Sequence, residues 1–335
     1  MGLDSIRYTP KRFAQLLGMS TRELANAEAS GPLLALRPQE PGDTKVTYAP
    51  TELARYREVL GKAAPPMAAS KQLFLNFKGG TGKTSVSTSY AFRLAERGYR
   101  VLVIDLDSQG HATKCLGLEP DHYERTLADA LIKRMPIRDV RVPTGFPGLD
   151  VVPSNLNMST VDLALMPLAG REFRLRNTLK EIESEYDVIV MDAPPSFGLL
   201  NLNALIAVET LVVPVLPDFL SFHGLKLLFE TVQSLEDDLQ HVLAHIFIVI
   251  NGFNATYKIA KESKEALEQH YGDFLLKSII RQDARFAQAS SEGSPVFAYD
   301  PESKGAEDIE AVLDEVCARL GGALPEKAAS QAKAS

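Results

Sequence analysis

Short apolar runs alternate with longer amphipathic segments through most of the chain after residue 70. The apolar runs are QLFLNF, VLVIDLD, DVIVMDAPP, TLVVPVLP and HIFIVING, which begin at residues 72, 101, 187, 210 and 245. Between the first two, the segment through RLAERG has the spacing of an amphipathic helix. Apolar strands that alternate with helices are typical of a parallel sheet covered on both faces. We therefore predict an α/β domain with a parallel sheet over residues 71–320.

The first 63 residues have a different pattern, with helical spacing and turn signals but no strong buried strand. Thr9 and Pro10 predict a helix start, because Thr is a good N-cap and Pro fits the first helical turn. Ser20 and Glu23 predict a second helix through a capping box, in which each side chain satisfies a free backbone N–H group. Two helices joined by so short a turn are typical of a helix-turn-helix module.

A polar segment and a third helical pattern complete this N-terminal unit. The segment LRPQEPGDTKVTY precedes TELARYREVL, an arrangement that resembles the MerR-like winged helix-turn-helix. We predict a small, mainly helical domain over residues 1–63, with Arg22 as a candidate contact to operator DNA. Because acidic residues offset the basic residues of this segment, a structural or dimerising use of the module stays open.

Two segments without a periodic apolar pattern flank the α/β region. APPMAAS, residues 64–70, combines two prolines with small residues, which is typical of a linker. GGALPEKAASQAKAS, residues 321–335, is small, polar and aperiodic, which is typical of a disordered tail. The sequence therefore predicts two domains, 1–63 and 71–320, joined by a linker.

Composition narrows the classes of protein to which this chain can belong. The chain has 335 residues, 45% of them hydrophobic, and a formal net charge of −7, so any binding of nucleic acid has to depend on a local basic patch. Its two cysteines, Cys115 and Cys317, form neither a disulfide framework nor a zinc motif. The N-terminus lacks a secretory apolar region, and the apolar runs are far shorter than the roughly 20 residues that span a bilayer. We therefore expect a cytoplasmic protein.

A glycine-rich loop follows the first predicted strand. The stretch KGGTGKTS lies between an apolar run and a helical segment, which is the context of a P-loop. Glycines let successive backbone N–H groups point at phosphate oxygens, and the start of the helix adds its positive end. Lys83 then reaches the β and γ phosphates of a nucleotide, and the Thr84 hydroxyl can ligate Mg²⁺. The predicted nucleotide-binding residues of this loop are Gly79, Gly80, Thr81, Gly82, Lys83, Thr84 and Ser85.

Lys78 precedes the glycines, although Lys83 alone would suffice to hold a phosphate. The pattern KGGxGKT[ST] resembles the deviant Walker A motif of the ParA/MinD family of ATPases. This resemblance implies that the nucleotide is ATP and that Lys78 reaches across a dimer interface to the partner's nucleotide. Physical reasoning agrees, because a phosphoryl-transfer transition state spreads negative charge over oxygens that one protomer covers only in part. The alternative is an ordinary surface lysine.

Two carboxylates follow predicted strands in the order that such a site requires. VLVIDLDSQGHAT resembles the family motif DxDPQGN, whose second aspartate, here Asp107, orients the attacking water. Ser108 and His111 depart from the Pro and Asn of that motif. YDVIVMDAPPS places Asp192 at a strand end, as in a Walker B motif. The resemblance implies Thr84, Asp107 and Asp192 as residues of the Mg²⁺ site, although either aspartate alone could be an ordinary solvated group at a strand end.

The resemblance to ParA covers residues 71–320 and extends to the adenine site. At VING, Asn251 matches the family's adenine-contacting asparagine, although asparagine after a strand is also common in turns. The resemblance implies Lys78, Lys83 and Asp107 as the catalytic residues.

Other stretches separate subgroups of the family. Electron-transfer relatives hold an iron–sulfur cluster through paired cysteines, one of them after the Walker B strand, where this chain has APPSFG. MinD-like relatives end in an amphipathic membrane helix, whereas the tail after Gly321 has one Leu and no aromatic residue. Partition-type relatives bind DNA nonspecifically through basic residues. The DNA-contact candidates here are Arg281, Arg285, Lys258, Lys261 and Lys264, although the three lysines would also fit i, i+4 ion pairs on a solvated helix.

The resemblance implies a ParA-type partitioning ATPase that segregates a plasmid or chromosome. We expect an ATP- and Mg²⁺-dependent homodimer that binds DNA nonspecifically on the nucleoid, a ParB-like partner that stimulates hydrolysis, operator DNA as a ligand of the N-terminal module, and no membrane contact. Two alternatives stay open. One is a positioning ATPase for a protein cargo such as a chemoreceptor array or microcompartment. The other is a transcription regulator whose ATPase module controls its helix-turn-helix.

Overall fold

The structure is a computed structural model that describes residues 2–36, 46–62, 64 and 69–321. Most of the predicted wing and linker, and all but the first residue of the predicted tail, lie outside these residues. The strands are β1 Ser70–Phe74, β2 Val101–Asp105, β3 Val142–Pro143, β4 Leu149–Val152, β5 Val188–Asp192, β6 Thr210–Val215 and β7 His245–Ile250.

Helices occupy most of the remaining described chain. The α-helices are α1 Pro10–Leu16, α2 Thr21–Ser30, α3 Pro50–Leu60, α4 Lys83–Glu96, α5 His111–Cys115, α6 Leu127–Lys133, α7 Val161–Leu165, α8 Arg174–Leu179, α9 Leu199–Ala207, α10 Leu220–Leu239, α11 Lys258–Tyr271, α12 Ala284–Ser291, α13 Val296–Tyr299 and α14 Lys304–Arg319. Short 3-10 helices lie at Leu3–Ser5, Leu34–Leu36, Pro120–His122, Ile137–Asp139, Leu156–Thr160, Arg171–Phe173 and Glu183–Glu185. Within the described part of the chain, no helix is both long and apolar enough to cross a bilayer.

The strands form one seven-stranded sheet in the order β3-β4-β2-β5-β1-β6-β7. Neighbouring strands are parallel except β3 and β4, which are antiparallel at one edge. This confirms the predicted parallel α/β sheet, and the five predicted apolar runs correspond to β1, β2, β5, β6 and β7. The edge strands β3 and β4 were not predicted, because they are short and carry little periodic pattern. β1 begins at Ser70, one residue before the predicted domain start, because the Ser70 N–H donates to the Asp187 carbonyl oxygen at 3.0 Å.

Apolar side chains cover both faces of the sheet, as the continuous apolar runs require. Along β2, Val101 and Val103 belong to one core cluster, and Leu102 and Ile104 belong to the cluster on the opposite face. All four are fully buried. The strands therefore present their carboxyl ends, rather than a face, to solvent, and polar residues at those ends are the ones free to form a site.

The N-terminal residues form the three helices that the sequence predicts. Thr9 caps α1 by accepting a hydrogen bond from the Arg12 N–H, and Ser20 with Glu23 forms the expected capping box on α2. Around these helices, Phe13 stacks on Tyr48 with ring centroids 4.1 Å apart. These local predictions are confirmed, whereas the winged DNA-binding interpretation and the division into domains stay predictions.

The N-terminal helices lie against the C-terminal end of α4. The Glu96 carboxylate, whose side chain is 1% exposed, accepts hydrogen bonds from Tyr8 Oη at 2.8 Å, Arg12 Nη2 at 3.1 Å and Arg93 Nη1 at 2.9 Å. The Arg57 guanidinium also donates to the Glu96 carbonyl oxygen. One continuous apolar cluster contains residues of both regions. The N-terminal helices therefore share hydrogen bonds and an apolar cluster with the sheet region.

Candidate functional site

The predicted P-loop connects the end of β1 to the start of α4. Gly80 and Gly82 have φ angles of +73° and +82°, in the left-handed region that favours glycine. A Cβ atom on Gly82 would lie 2.2 Å from Nδ2 of Asn251, so a larger residue at this position would displace that side chain. The loop therefore has the conformation that the glycine spacing predicts.

Lys83 is the first residue of α4, and its side chain is largely buried. Its Nζ donates to the Lys78 carbonyl oxygen at 3.1 Å. Burial lowers the pKa of Lys83, and the carboxylates of Asp192 and Asp107 oppose that shift. A buried ammonium group is suited to bind phosphate oxygens, because water competes weakly for it.

Asp192 ends β5 directly beside the first turn of α4. Its Oδ2 accepts a hydrogen bond from Thr84 Oγ1 at 2.7 Å, and its Oδ1 accepts one from Ser87 Oγ at 2.8 Å. Burial raises the pKa of Asp192 to about 6, although these hydrogen bonds oppose the shift. The paired hydroxyl and carboxylate are hard oxygen ligands of the kind that Mg²⁺ uses, since it usually keeps several of its waters.

The described residues contain no group of three or more His, Cys, Asp or Glu side chains that could hold a metal by themselves. In the P-loop, Thr81 Oγ1 is buried without a hydrogen-bond partner among the described residues, which fits a bound nucleotide.

Asp105 lies next to Asp192, because these two residues are register partners in β2 and β5. Asp105 accepts hydrogen bonds from the Thr113 N–H at 2.8 Å and the Thr113 hydroxyl at 2.7 Å. Burial, followed by the charge of Asp192, raises the pKa of Asp105 to about 7. No sequence signal indicated a role for Asp105, and in the structure it supports the loop that carries Asp107 by accepting a hydrogen bond from the Asp107 N–H at 3.1 Å.

Asp107 is half-buried in the loop between β2 and α5. Its Oδ1 accepts a hydrogen bond from the Gln109 N–H at 3.0 Å, and its carbonyl oxygen accepts one from Ser154 Oγ at 2.6 Å. Its charge acts on both Lys83 and Asp192, which places the carboxylate in the same cluster. The water-orienting role of Asp107 stays a prediction.

A cavity of about 600 Å³ adjoins the start of α4, which is within the usual size range for small-molecule sites. Its walls include Ser85, His111, Asn251, Arg281 and Phe286. Asn251 Nδ2 donates to the Thr81 carbonyl oxygen at 2.7 Å, so this side chain also braces the P-loop. The cavity has room for a nucleoside attached to phosphates at the loop, and His111, one of the two departures from the family motif, lies on its wall.

Lys78 forms an ion pair that the sequence did not predict. Its Nζ lies 2.6 Å from Oδ2 of Asp218, in the segment that leads from β6 into α10. Burial would raise the pKa of Asp218, but the hydrogen bonds from Lys78 and Ser221 hold it below its usual value. No local signal indicates this contact, since the two residues are 140 positions apart.

The candidate DNA contacts are exposed or half-exposed, and most are paired with acidic side chains. Arg281 donates to both carboxylate oxygens of Asp308 and to Glu307. The other pairs are Arg285 with Asp300, Lys258 with Glu262 and Lys264 with Glu268, whereas the anticipated pair of Lys261 and Glu265 does not form. Arg22 is exposed on α2. Two of the three expected lysine pairs are thus present, and DNA contact by any of these residues stays a prediction.

Comparisons with known proteins agree with this geometry. Residues 71–245 match a family described as "AAA domain". The chain is 59% identical over 318 residues to the cell division protein PomZ of Myxococcus xanthus, a match that covers 95% of each chain. The PomZ match therefore extends into the N-terminal helices.

Two further relatives match about three quarters of the chain. The sporulation initiation inhibitor protein Soj of Bacillus subtilis is 34% identical over 243 residues, which cover 72% of this chain and 96% of Soj. The crystal structure of a putative plasmid partition protein from Borrelia burgdorferi, bound to AMPPNP, shares the fold with a TM-score of 0.65 and 21% identity, and the match covers 75% of this chain and 99% of that one. Together with the P-loop and the two strand-end aspartates, these matches place the chain in the ParA/MinD-type family of P-loop ATPases.

Proposed function

We propose that this protein is a positioning ATPase that cycles between an ATP-bound dimer on DNA and a released form. The observation that carries the proposal is the grouping of Lys83, Thr84 and Asp192 at the P-loop, with Lys78 directly ahead of the glycines. A fold relative bound to AMPPNP and another bound to an ATP analogue and magnesium support ATP and Mg²⁺ as the cofactors.

Different residues of one protomer contact the phosphates, the Mg²⁺ ion and the attacking water. Backbone N–H groups of the loop and the start of α4 surround the phosphates, and Lys83 supplies positive charge to the β and γ phosphates. Thr84 and Asp192 would hold Mg²⁺, which neutralises charge on the phosphate oxygens when it is bound. Asp107, in the adjacent loop, orients the attacking water by accepting a hydrogen bond from it.

The second protomer supplies Lys78 to its partner's nucleotide. Positive charge placed at the outer side of the triphosphate stabilises oxygens that Lys83 and Mg²⁺ leave uncovered. Two such contacts per dimer make ATP the signal for dimer assembly. A ParB-like partner protein would then stimulate hydrolysis and so release the dimer.

Nonspecific DNA is the proposed surface on which the dimer is held. The net charge of −7 means that binding has to come from a local patch, for which Arg281, Arg285 and the lysines of α11 are the candidates. Arg281 already forms ion pairs with Asp308 and Glu307. DNA phosphates would therefore displace those carboxylates from the guanidinium group or share it with them. Dimerisation doubles the patch, which strengthens a weak contact through two simultaneous attachments.

The similarity to PomZ favours a role in cell division over plasmid segregation. That relative is named a cell division protein and matches 95% of the chain, whereas the chromosome partitioning protein ParA of Myxococcus xanthus matches 73% of the chain at 33% identity. We therefore propose a cell-division positioning ATPase of the cytoplasm and nucleoid. Chromosome partitioning is the second candidate, supported by the ParA and Soj similarities.

Two lysine variants test the proposal, because the two lysines have different tasks. Lys83→Ala should lose ATP binding, measured by calorimetry, since its ammonium contacts the phosphates within one protomer. Lys78→Ala should bind ATP and yet fail to form the ATP-dependent dimer, measured by light scattering. Lys226→Ala, which removes an exposed lysine on α10, is the matched control and should behave as wild type. An ATP-bound Lys78→Ala dimer as stable as wild type would refute the role in the partner's site.

A further inference from the structure

The loop 251–257, between β7 and α11, lies directly beside the segment that carries Arg281. The Phe253 N–H donates to the Ile280 carbonyl oxygen at 3.0 Å, and the Gln282 N–H donates to the Phe253 carbonyl oxygen at 2.9 Å. The Asn254 side chain also donates to Gln282 Oε1 at 2.9 Å. These hydrogen bonds fix the loop next to a proposed DNA contact.

A cavity of about 440 Å³ adjoins the same loop and reaches the start of α14. Its walls combine the apolar residues Phe253 and Ile279 with the cationic residues Arg281 and Lys304. Lys304 is exposed and forms no ion pair with any residue that the structure describes, whereas Arg281 is paired with two carboxylates. This side of the molecule therefore offers positive charge and apolar surface together.

The first turn of α11 continues this mixed surface. Tyr257 and Ile259 are 58% and 53% exposed, and they alternate with the exposed residues Lys258 and Lys261. The Tyr257 N–H donates to the Asn254 carbonyl oxygen at 3.1 Å, so this turn is attached to the loop beside Arg281. A ligand that covers the turn has to present negative charge and apolar area side by side. DNA does so, because its phosphates alternate with sugars and bases.

We propose that Tyr257 and Ile259 pack against the sugars and bases of bound duplex DNA, while the neighbouring cations contact its phosphates. This inference rests on the proposed binding of DNA by the ATP-bound dimer. Apolar side chains contact the sugar and base surface of DNA in many proteins that bind it without reading its sequence. The DNA contact therefore has an apolar part in addition to the electrostatic part that the basic residues supply.

Salt dependence separates the two parts of the contact. Binding to phosphates weakens as salt rises, because each neutralised phosphate releases close to one counterion. Packing of an apolar side chain releases no counterion. Tyr257→Ala should therefore lower the affinity by a similar factor at every salt concentration, roughly 5-fold or more, whereas Arg281→Ala should flatten the salt slope.

The test is a fluorescence anisotropy titration of a labelled random-sequence duplex with AMPPNP present, at several salt concentrations. Ile259→Ala should weaken binding with an unchanged slope, as Tyr257→Ala does, and Tyr257→Phe, which keeps the ring, should bind as wild type. Val242→Ala is the matched control, because Val242 is 61% exposed and precedes β7, at the opposite end of that strand from the loop. Light scattering with AMPPNP should show the same dimer for every variant.

The outcomes separate this inference from the proposed function. Wild-type affinity of both Tyr257→Ala and Ile259→Ala would overturn the apolar contact, and so would a loss that Val242→Ala reproduces or that Tyr257→Phe does not restore. In these cases a flatter slope for Arg281→Ala would still support the proposed binding of DNA. If wild type binds no DNA with AMPPNP, the proposed DNA-bound dimer is wrong and the apolar contact is wrong with it.

Discussion

The attachment of the N-terminal helices to α4 leads to a prediction about Glu96. Glu96→Gln keeps the size of a side chain that is 1% exposed but removes its negative charge. The charge is shared by Arg12, from α1, and Arg93, from α4 itself, and Tyr8 donates a further hydrogen bond. The variant therefore leaves buried cations beside a neutral amide.

The expected loss of stability depends on which ion pairs Arg12 and Arg93 keep in the Glu96→Gln variant. Arg93 keeps its ion pair with Glu310, whereas Glu96 is the one ion-pair partner of Arg12 in the described chain. Breaking a buried pair by removing one partner costs about 3–5 kcal/mol, and the remaining Glu310 contact puts the expected loss near the lower value. Tyr8→Phe loses one hydrogen bond to a charged group, which costs about 1.5–3 kcal/mol.

The assay is urea unfolding of the full chain, followed by circular dichroism, with the free energy of unfolding taken from linear extrapolation. Glu302→Gln is the matched control, because it also removes a carboxylate that bonds to α1, at Lys11. That pair is exposed on both sides, with 67% and 73% of the side chains accessible, so we expect no measurable change.

Two results would refute this reasoning. The first is a loss for Glu96→Gln that is no larger than the loss for Glu302→Gln, because burial would then not decide the cost. The second is an early, separate unfolding step of the N-terminal helices in wild type, because a shared core predicts that they unfold with the sheet.

Three further predictions concern the nucleotide and DNA sites. Asp107→Ala should slow single-turnover ATP hydrolysis by on the order of 10²-fold if it orients the water, and an unchanged rate would move that role elsewhere. Arg281→Ala should weaken binding to all DNA sequences alike and flatten its salt dependence in fluorescence anisotropy titrations, and equal affinity with an equal salt slope would exclude the proposed patch. Burial raises the pKa of Asp105 from 3.8 to about 7 in the folded protein. Between these two pH values, the folded protein keeps a proton on Asp105 that the unfolded chain has released. Its contribution to stability therefore falls as the pH rises from about 4 to 7, and Asp105→Asn should flatten that decline in thermal melts, whereas the exposed Asp139→Asn should not.

The structure matches the sequence-based prediction most closely where the information is local. The cap of α1 and the capping box of α2 involve residues three positions apart, and the P-loop is one contiguous stretch of backbone. Apolar runs predict strands because burial on both faces of a sheet requires them. In each case the residues that make the structure are neighbours in the chain.

Contacts between distant segments were the part that the sequence did not predict. Lys78 and Asp218 are 140 positions apart, and Tyr8 and Glu96 are 88 positions apart. Their pairing depends on how β1, β6 and α4 are placed in the fold, and no periodicity records that placement. For the same reason, the ion pair of the DNA-contact candidate Arg281 was not predicted, since its partner Asp308 lies 27 positions later on α14.

Helix α4 connects the regions for which separate functions were predicted. It begins at Lys83 in the P-loop and ends at Glu96 beside the N-terminal helices, a distance of about 20 Å for its 14 residues. Arg93 and Arg97 pair with Glu310 on α14, the helix that also carries Asp308, the partner of Arg281. The N-terminal helices thus contact the far end of the nucleotide-binding helix rather than the nucleotide. If ATP controls DNA binding by these helices, the signal has to pass through α4 as a rigid element. Weakening the hydrogen bonds of Glu96 to Tyr8 and Arg12 should then make DNA binding by the N-terminal helices independent of ATP, while ATP binding itself stays intact.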